Sequence, residues 1–170
     1  MATIEELLQE LEQEARVTRR VLERVPGDRL DWRPHAKSLT LGQLAMHVAT
    51  LPGALAEIST RPTFDVRTEI PRPSAASVAE LLETLETLDR SVADARTLLG
   101  AMDAGALSTP WRLVDGERDV AAVPRGAFLR STLLNHWYHH RGQLTVYLRQ
   151  TGAPVPAIYG DSADESMRPS

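Results

Sequence analysis

Cysteine is absent from all 170 residues of this sequence. Its absence excludes disulfide bonds, thiolate metal sites and a cysteine nucleophile together. Any metal ion bound by the chain must therefore be held by histidine, aspartate or glutamate side chains.

Excess positive charge is also missing, because 19 Lys and Arg residues are outnumbered by 23 Asp and Glu residues and the formal net charge is -4. Such a balance disfavours binding to nucleic acid or to an anionic membrane. No apolar run approaches the roughly 20 residues of a membrane span. The N-terminal stretch "MATIEELLQELEQEA" is acidic, whereas a signal peptide begins with a basic region. We therefore expect a cytoplasmic protein with neither a nucleic-acid nor a membrane partner.

Four segments carry apolar residues at the three- and four-residue spacing of amphipathic helices. Capping boxes mark the starts of the first two, and Pro52 is expected to kink or shorten the second. The predicted helices begin at Thr3, Thr40, Ser77 and after Pro124, and they are followed by turns or loops at Pro26-Gly27, 61–75, Gly100 and Gly152.

The connections complete the predicted architecture. Segment 61–75 holds three prolines and no periodicity, so it is predicted to be a loop or crossover. Alternation around Asp115-Gly116 predicts a short hairpin or an ordered loop. Residues 1–160 are predicted to form a single domain and residues 161–170 a flexible tail. The prediction is an all-α fold, a four-helix bundle with a short hairpin or ordered loop before the last helix.

Histidine is scarce, yet three of the five histidines lie in the stretch "LLNHWYHHRGQL", residues 133–144. His136 and His140 are four residues apart, which places their imidazoles on one helix face with Cβ atoms about 6 Å apart. His47 lies in the apolar stripe of the second helix. Three histidines with open water positions are typical of a catalytic metal site. The alternative is that these three are hydrogen-bonded core histidines without a metal. Of the two remaining histidines, His35 is assigned to a loop and His139 to a helix flank.

Side chains near this stripe are candidates for a supporting role. Gln143 is placed to orient a bound water or a ligand imidazole, although a helix-flank amide is an equal interpretation. Trp32 and Tyr147 are candidate pocket residues, with a core or interface anchor as the alternative for the tryptophan. The residues between His136 and His140 are Trp-Tyr-His, so the glutamate of the helical metalloprotease motif is missing. No carboxylate is placed as an obvious general base.

Segments 38–51, "SLTLGQLAMHVATL", and 135–149, "NHWYHHRGQLTVYLR", followed by "TGAPVPAIYG", resemble the two signature regions of the DinB/YfiT-like family. The resemblance covers residues 1 to 160 and implies a four-helix bundle in an up-down-down-up arrangement. It also implies a divalent metal ion, Zn or Ni, held by His47, His136 and His140.

The same resemblance implies a function and an oligomeric state. The implied activity is that of a thiol-dependent transferase or isomerase that uses a low-molecular-weight thiol. Because a bound metal ion can also activate water, the prediction is a metal-dependent enzyme acting on a small molecule, either a thiol-dependent S-transferase or a hydrolase. The alternative is a non-catalytic, metal-stabilised module for binding or dimerisation in a stress response. A homodimer is expected, for which Leu8, Leu82 and Leu134 offer apolar helix flanks.

Overall fold

A computed structural model describes residues 3–67, 81–103 and 105–167 of the chain, the side chains of residues 81 and 82 excepted. Its α-helices are α1 (Ile4–Leu22), α2 (Leu41–Thr60), α3 (Leu81–Gly100), α4 (Arg125–Phe128) and α5 (Asn135–Gln150). A π-helical turn, Leu129–Leu134, joins α4 to α5, and short 3-10 turns lie at Gly27–Arg29 and Ala106–Ser108. The strands are β1 (Thr63–Asp65), β2 (Pro110–Asp115) and β3 (Arg118–Pro124). None of the helices in these described ranges combines the length and the apolar character of a membrane span.

Capping boxes start the first two helices, as predicted. Thr3 Oγ1 accepts from Glu6 N at 3.1 Å, and Thr3 N donates to the Glu6 carboxylate at 2.7 Å. The same pair of bonds joins Thr40 and Gln43, at 3.1 and 2.9 Å. These bonds satisfy backbone N–H groups that have no partner within the helix. The predicted cap of the third helix, at Ser77, lies outside the described residues.

The last helix has the predicted limits but includes an element that was not predicted. It extends from Arg125 to Gln150, and its middle turn, Leu129–Leu134, is π-helical. Three buried leucines of this turn, Leu129, Leu133 and Leu134, face the core. Because a π turn is most often a local insertion within an α-helix, it does not interrupt the element.

The core lies between four helical segments. α2 packs against α3 and α5, while α1 also packs against α3 and α5. Leucines dominate this core, and the largest of those that are fully buried are Leu11, Leu22, Leu41, Leu44, Leu88, Leu129, Leu133, Leu134, Leu144 and Leu148. The mostly helical class is thus confirmed, and the up-down-down-up order of a four-helix bundle stays a prediction.

A three-stranded sheet corrects the all-α prediction. The antiparallel hairpin of β2 and β3 is the one predicted around Asp115-Gly116, and Gly116 takes the positive φ of +63° that its turn requires. β1 comes from the segment 61–75, which was predicted to be only a loop or crossover. It pairs in parallel with β2, with Thr63 opposite Arg112. A three-residue strand has too short a pattern to be recognised without its distant partner.

Pro52 does not shorten α2, contrary to one of the two effects predicted for it, since the helix continues to Thr60. The described part of the C-terminal segment contacts two helices. Asp164 accepts hydrogen bonds from Arg149 and from Val155 N, and Glu165 forms an ion pair with Arg20. The flexibility expected of residues 161–170 stays a prediction.

Candidate metal centre

Three histidines converge from two helices. His47 lies on α2, while His136 and His140 lie one turn apart on α5. Each offers one ring nitrogen, and the three nitrogens lie within 4.8 Å of one another. The His47 ring centroid lies 5.7 Å from that of His136 and 4.5 Å from that of His140. Among the described residues, this is the group of His, Asp and Glu side chains whose geometry can hold a metal ion.

Partial burial keeps these imidazoles neutral. Burial, reinforced by the neighbouring His140 and His136, lowers the pKa of His47 to about 4. Burial is also the main reason why the pKa values of His136 and His140 are lowered from 6.5. Because a neutral imidazole has a free lone pair, all three side chains can coordinate a cation at neutral pH.

Gln143 contacts the imidazole of His140. Its Oε1 lies 2.8 Å from His140 Nδ1, one turn along α5. An amide oxygen accepts, so Nδ1 carries the proton and Nε2 of His140 has the lone pair. Without an ion, that Nε2 accepts a hydrogen bond from His136 Nε2, 2.7 Å away. Gln143 therefore selects the tautomer of His140 that can bind a metal through Nε2.

The donor set fits a tetrahedral ion after a small adjustment. Zn–N bonds of about 2.0–2.1 Å at tetrahedral angles separate two ligand nitrogens by about 3.3 Å. The Nε2 atoms of His136 and His140 are 2.7 Å apart. An ion that replaces their hydrogen bond would therefore move them apart by a few tenths of an ångström, within the range of a small rotation about the side-chain bonds. His136 would at the same time have to carry its proton on Nδ1, because only an unprotonated Nε2 has a lone pair for the ion. Imidazole nitrogens suit Zn, Ni and Cu better than Ca or Mg.

Trp32 and Tyr147 contact each other, but neither belongs to the histidine group. Their rings meet edge to face with centroids 5.5 Å apart. The Tyr147 hydroxyl donates to Leu39 O at 3.3 Å, which attaches α5 to the loop before α2. Tyr147 follows His140 by two turns on the same face of α5, about 10 Å along the axis. The two rings therefore form a partly buried aromatic contact at the face of α5 that carries His136 and His140.

The two remaining histidines lie outside the group, in agreement with their assignment. His35 is exposed in the loop before α2, where its Nδ1 accepts from Lys37 N at 3.1 Å. His139 is also exposed, although its ring lies 4.9 Å from that of His140. His139 is thus a matched control for substitutions of the three grouped histidines.

A buried ion pair beside the histidines was missed by the sequence analysis. Arg141, which follows His140, points towards α1 and forms an ion pair with Glu14 at 2.6 Å. Thr18 Oγ1 accepts from the same guanidinium at 3.2 Å, and the Tyr159 hydroxyl contacts both charged groups. A signal was present in the sequence, because Glu14 occupies a position in the apolar stripe of α1, seven residues after the buried Leu7.

A groove of about 540 Å³ lies elsewhere, between α2 and α3. Its lining includes Thr50, Glu57, Arg90 and Asp94, and it contains none of the three histidines. The groove is broad and open to solvent.

The fold and the histidine group together define a class: a mostly helical protein in which two helices bring three neutral imidazoles to one point. Comparison with known proteins identifies that class. The chain belongs to the DinB family, whose family model matches residues 1–169. The resemblance noted in the two signature segments is thereby confirmed.

Individual relatives agree with this assignment. The chain is 29% identical over 168 residues to the uncharacterized protein YrdA of Bacillus subtilis strain 168. The matched region covers 96% of this chain and 92% of YrdA. A DinB-like protein from Bacillus cereus ATCC 10987 superposes with a TM-score of 0.70 at 25% identity, over 92% of this chain and 98% of the other. The DinB-like protein YjoA of Bacillus subtilis shares the fold, with a TM-score of 0.64 at 17% identity over 86% and 92% of the two chains.

Proposed function

We propose that this protein binds a divalent metal ion, Zn²⁺ or Ni²⁺, through His47, His136 and His140 and acts as a metal-dependent enzyme on a small molecule. One observation carries the proposal: three ring nitrogens from two helices lie within 4.8 Å of one another. A site with three protein ligands leaves coordination positions for water or substrate. Three neutral ligands also leave the charge of the ion uncompensated, which favours an anionic ligand.

When bound, such an ion lowers the pKa of a coordinated water or thiol and supplies a nucleophile near neutral pH. The residues of this chain contribute orientation. Gln143 holds His140 in the tautomer with a free Nε2 lone pair. The chain has no cysteine, so any reacting thiol must come from a separate low-molecular-weight molecule. These features support a thiol-dependent S-transferase or a hydrolase.

Metal titration tests the binding. Calorimetry of the chelator-treated protein with Zn²⁺, Ni²⁺ and Co²⁺ should give one ion per chain. His47→Ala should remove most of the affinity, because two ligands on one helix remain. The matched control His139→Ala should bind like the wild type, because that exposed ring lies outside the group. Failure of all three ions to bind the wild type would refute the proposal.

A thiol titration tests whether the ion has the open coordination position that an enzyme of this kind needs and that a non-catalytic, metal-stabilised module does not. If a coordination position is open, adding 2-mercaptoethanol to the Co²⁺ protein should produce a sulfur-to-cobalt charge-transfer band. An unchanged spectrum at saturating thiol, together with unfolding on metal removal, would favour the module instead.

The homodimer is part of the same proposal, and light scattering should report about twice the chain mass of 18.8 kDa. One of its expected contacts needs correction, because Leu134 is only 2% exposed and belongs to the core. Leu8 is partly buried against that core, and the side chain of Leu82 lies outside the described residues. A mass equal to that of one chain at all concentrations would contradict the dimer.

A further inference from the structure

Pro52 deprives one buried carbonyl of its partner within α2. In a regular helix the N–H of residue 52 would donate to Val48 O, but proline has no N–H and its ring crowds that oxygen. Val48 is fully buried, so its carbonyl cannot turn to water instead. Trp137 provides the missing donor, since its Nε1 donates to Val48 O at 2.9 Å.

This hydrogen bond lies beside the histidine group on both helices. Val48 follows His47 in the sequence, and Trp137 follows His136. The bond therefore joins α2 to α5 one residue away from a grouped histidine on each side. Trp137 is 0% exposed, which shields the bond from competing water.

A second contact holds the proline turn from the opposite side. Gly53 N donates to Ser91 Oγ at 2.8 Å, and the same hydroxyl donates to Thr50 O at 3.0 Å. A Cβ atom at Gly53 would lie only 3.0 Å from Ser91 O, so α3 approaches this turn too closely for a larger residue. The turn that contains Pro52 is thus fixed between α3 and α5.

We propose that Pro52 and Trp137 are positioning residues for the metal centre. The proline frees Val48 O, and Trp137 uses this oxygen to hold α2 at the separation from α5 at which His47 meets the two histidines of α5. Neither residue belongs to the histidine group, so both act through the helices that carry it. The inference rests on the metal binding proposed above. It predicts that metal affinity and stability respond differently to the same substitution.

Pro52→Ala is the substitution that best separates an effect on metal affinity from an effect on stability. Alanine restores an N–H for Val48 O within α2, and this N–H competes with Trp137 Nε1 for the oxygen. The melting temperature of the metal-free protein should stay equal or rise, since proline is unfavourable inside a helix. The affinity for Co²⁺ should fall about tenfold, as is usual when a group that orients a ligand is lost, and the cobalt d–d absorption should shift. Pro110→Ala, at an exposed proline that begins β2, is the control. It should leave the melting temperature, the Co²⁺ affinity and the cobalt absorption unchanged.

Trp137→Phe removes the donor and leaves Val48 O without a partner, so it should lower both the melting temperature and the Co²⁺ affinity. In the variant that combines Trp137→Phe with Pro52→Ala, the backbone N–H restored at position 52 pairs with that oxygen. The melting temperature should then partly recover while the Co²⁺ affinity stays low.

Two results would overturn the inference: Co²⁺ affinity and spectrum unchanged in Pro52→Ala, or affinity that recovers together with melting temperature in the double variant. A wild type that binds no Co²⁺ would instead refute the proposed function. In that case the melting temperatures of the wild type, the two single variants and the double variant would still show whether Val48 O needs Trp137 as its hydrogen-bond donor.

Discussion

Glu14→Gln should lower the free energy of unfolding by about 3–5 kcal/mol, the usual cost of removing one partner of a buried ion pair. The side chains of Arg141 and Glu14 are only 2% and 6% exposed, and their charged atoms lie 2.6 Å apart. The substitution preserves the shape of the side chain but removes its charge. The other groups that accept from the guanidinium, the Glu14 backbone carbonyl and the Thr18 and Tyr159 hydroxyls, are neutral. The positive charge of Arg141 would therefore stay buried without a counter-charge.

An exposed ion pair between α1 and α3 supplies the control. Glu12 and Arg96 form an ion pair at 2.9 Å, but their side chains are 40% and 67% exposed. Glu12→Gln is the same chemical change, and because water screens the charges there it should cost less than about 1 kcal/mol. Urea unfolding followed by far-ultraviolet circular dichroism gives both values from one assay.

A third variant tests the reason for the loss. Glu14→Leu combined with Arg141→Met removes both charges, so it should recover much of the stability that Glu14→Gln loses. Zn²⁺ stoichiometry should be unchanged in Glu14→Gln, since Arg141 points towards α1 and away from the histidine group. If Glu14→Gln lowers the free energy of unfolding by no more than Glu12→Gln does, burial does not raise the cost of removing the charge, and the reasoning is wrong.

Three further predictions concern the core, the metal and pH. Leu88→Ala should cost about 2–5 kcal/mol in the same urea assay, because Leu88 is 1% exposed and its loss leaves a cavity; a cost below about 1 kcal/mol would contradict its place in the core. Chelation should leave a helical protein that melts cooperatively, and Zn²⁺ at 100 times its dissociation constant should add about 2.7 kcal/mol; an unfolded chelated protein would make the metal structural. For the metal-free protein, stability should fall as pH drops from 6.5 towards 4, because unfolded histidines take up protons in that range while the lowered pKa of His47, about 4, keeps the folded side chain neutral. His47→Ala should reduce this pH dependence, and an identical dependence in both proteins would show that the burial of His47 does not matter.

Features set by residues close together in the chain could be predicted from the sequence. The capping boxes at Thr3 and Thr40 need only residues three apart. His136 and His140 share a helix face because the helical repeat of 3.6 residues fixes their relation. The hairpin could be predicted from the alternation and the glycine at its turn. In each case the periodicity or the turn residue acts over a few residues, so no distant partner is required.

Only the tertiary structure decided which distant groups meet. The periodicity of the sequence placed His47 on an apolar face, and the family resemblance implied its grouping with the other two histidines. The packing of α2 against α5 is what brings the three ring nitrogens within 4.8 Å of one another. The pairing of β1 with β2 and the burial of Arg141 against Glu14 likewise join segments far apart in the chain. A sequence pattern shows which face of a helix is apolar. It does not show which partner satisfies a buried polar group on that face, such as the Val48 carbonyl, because that depends on how closely two helices approach.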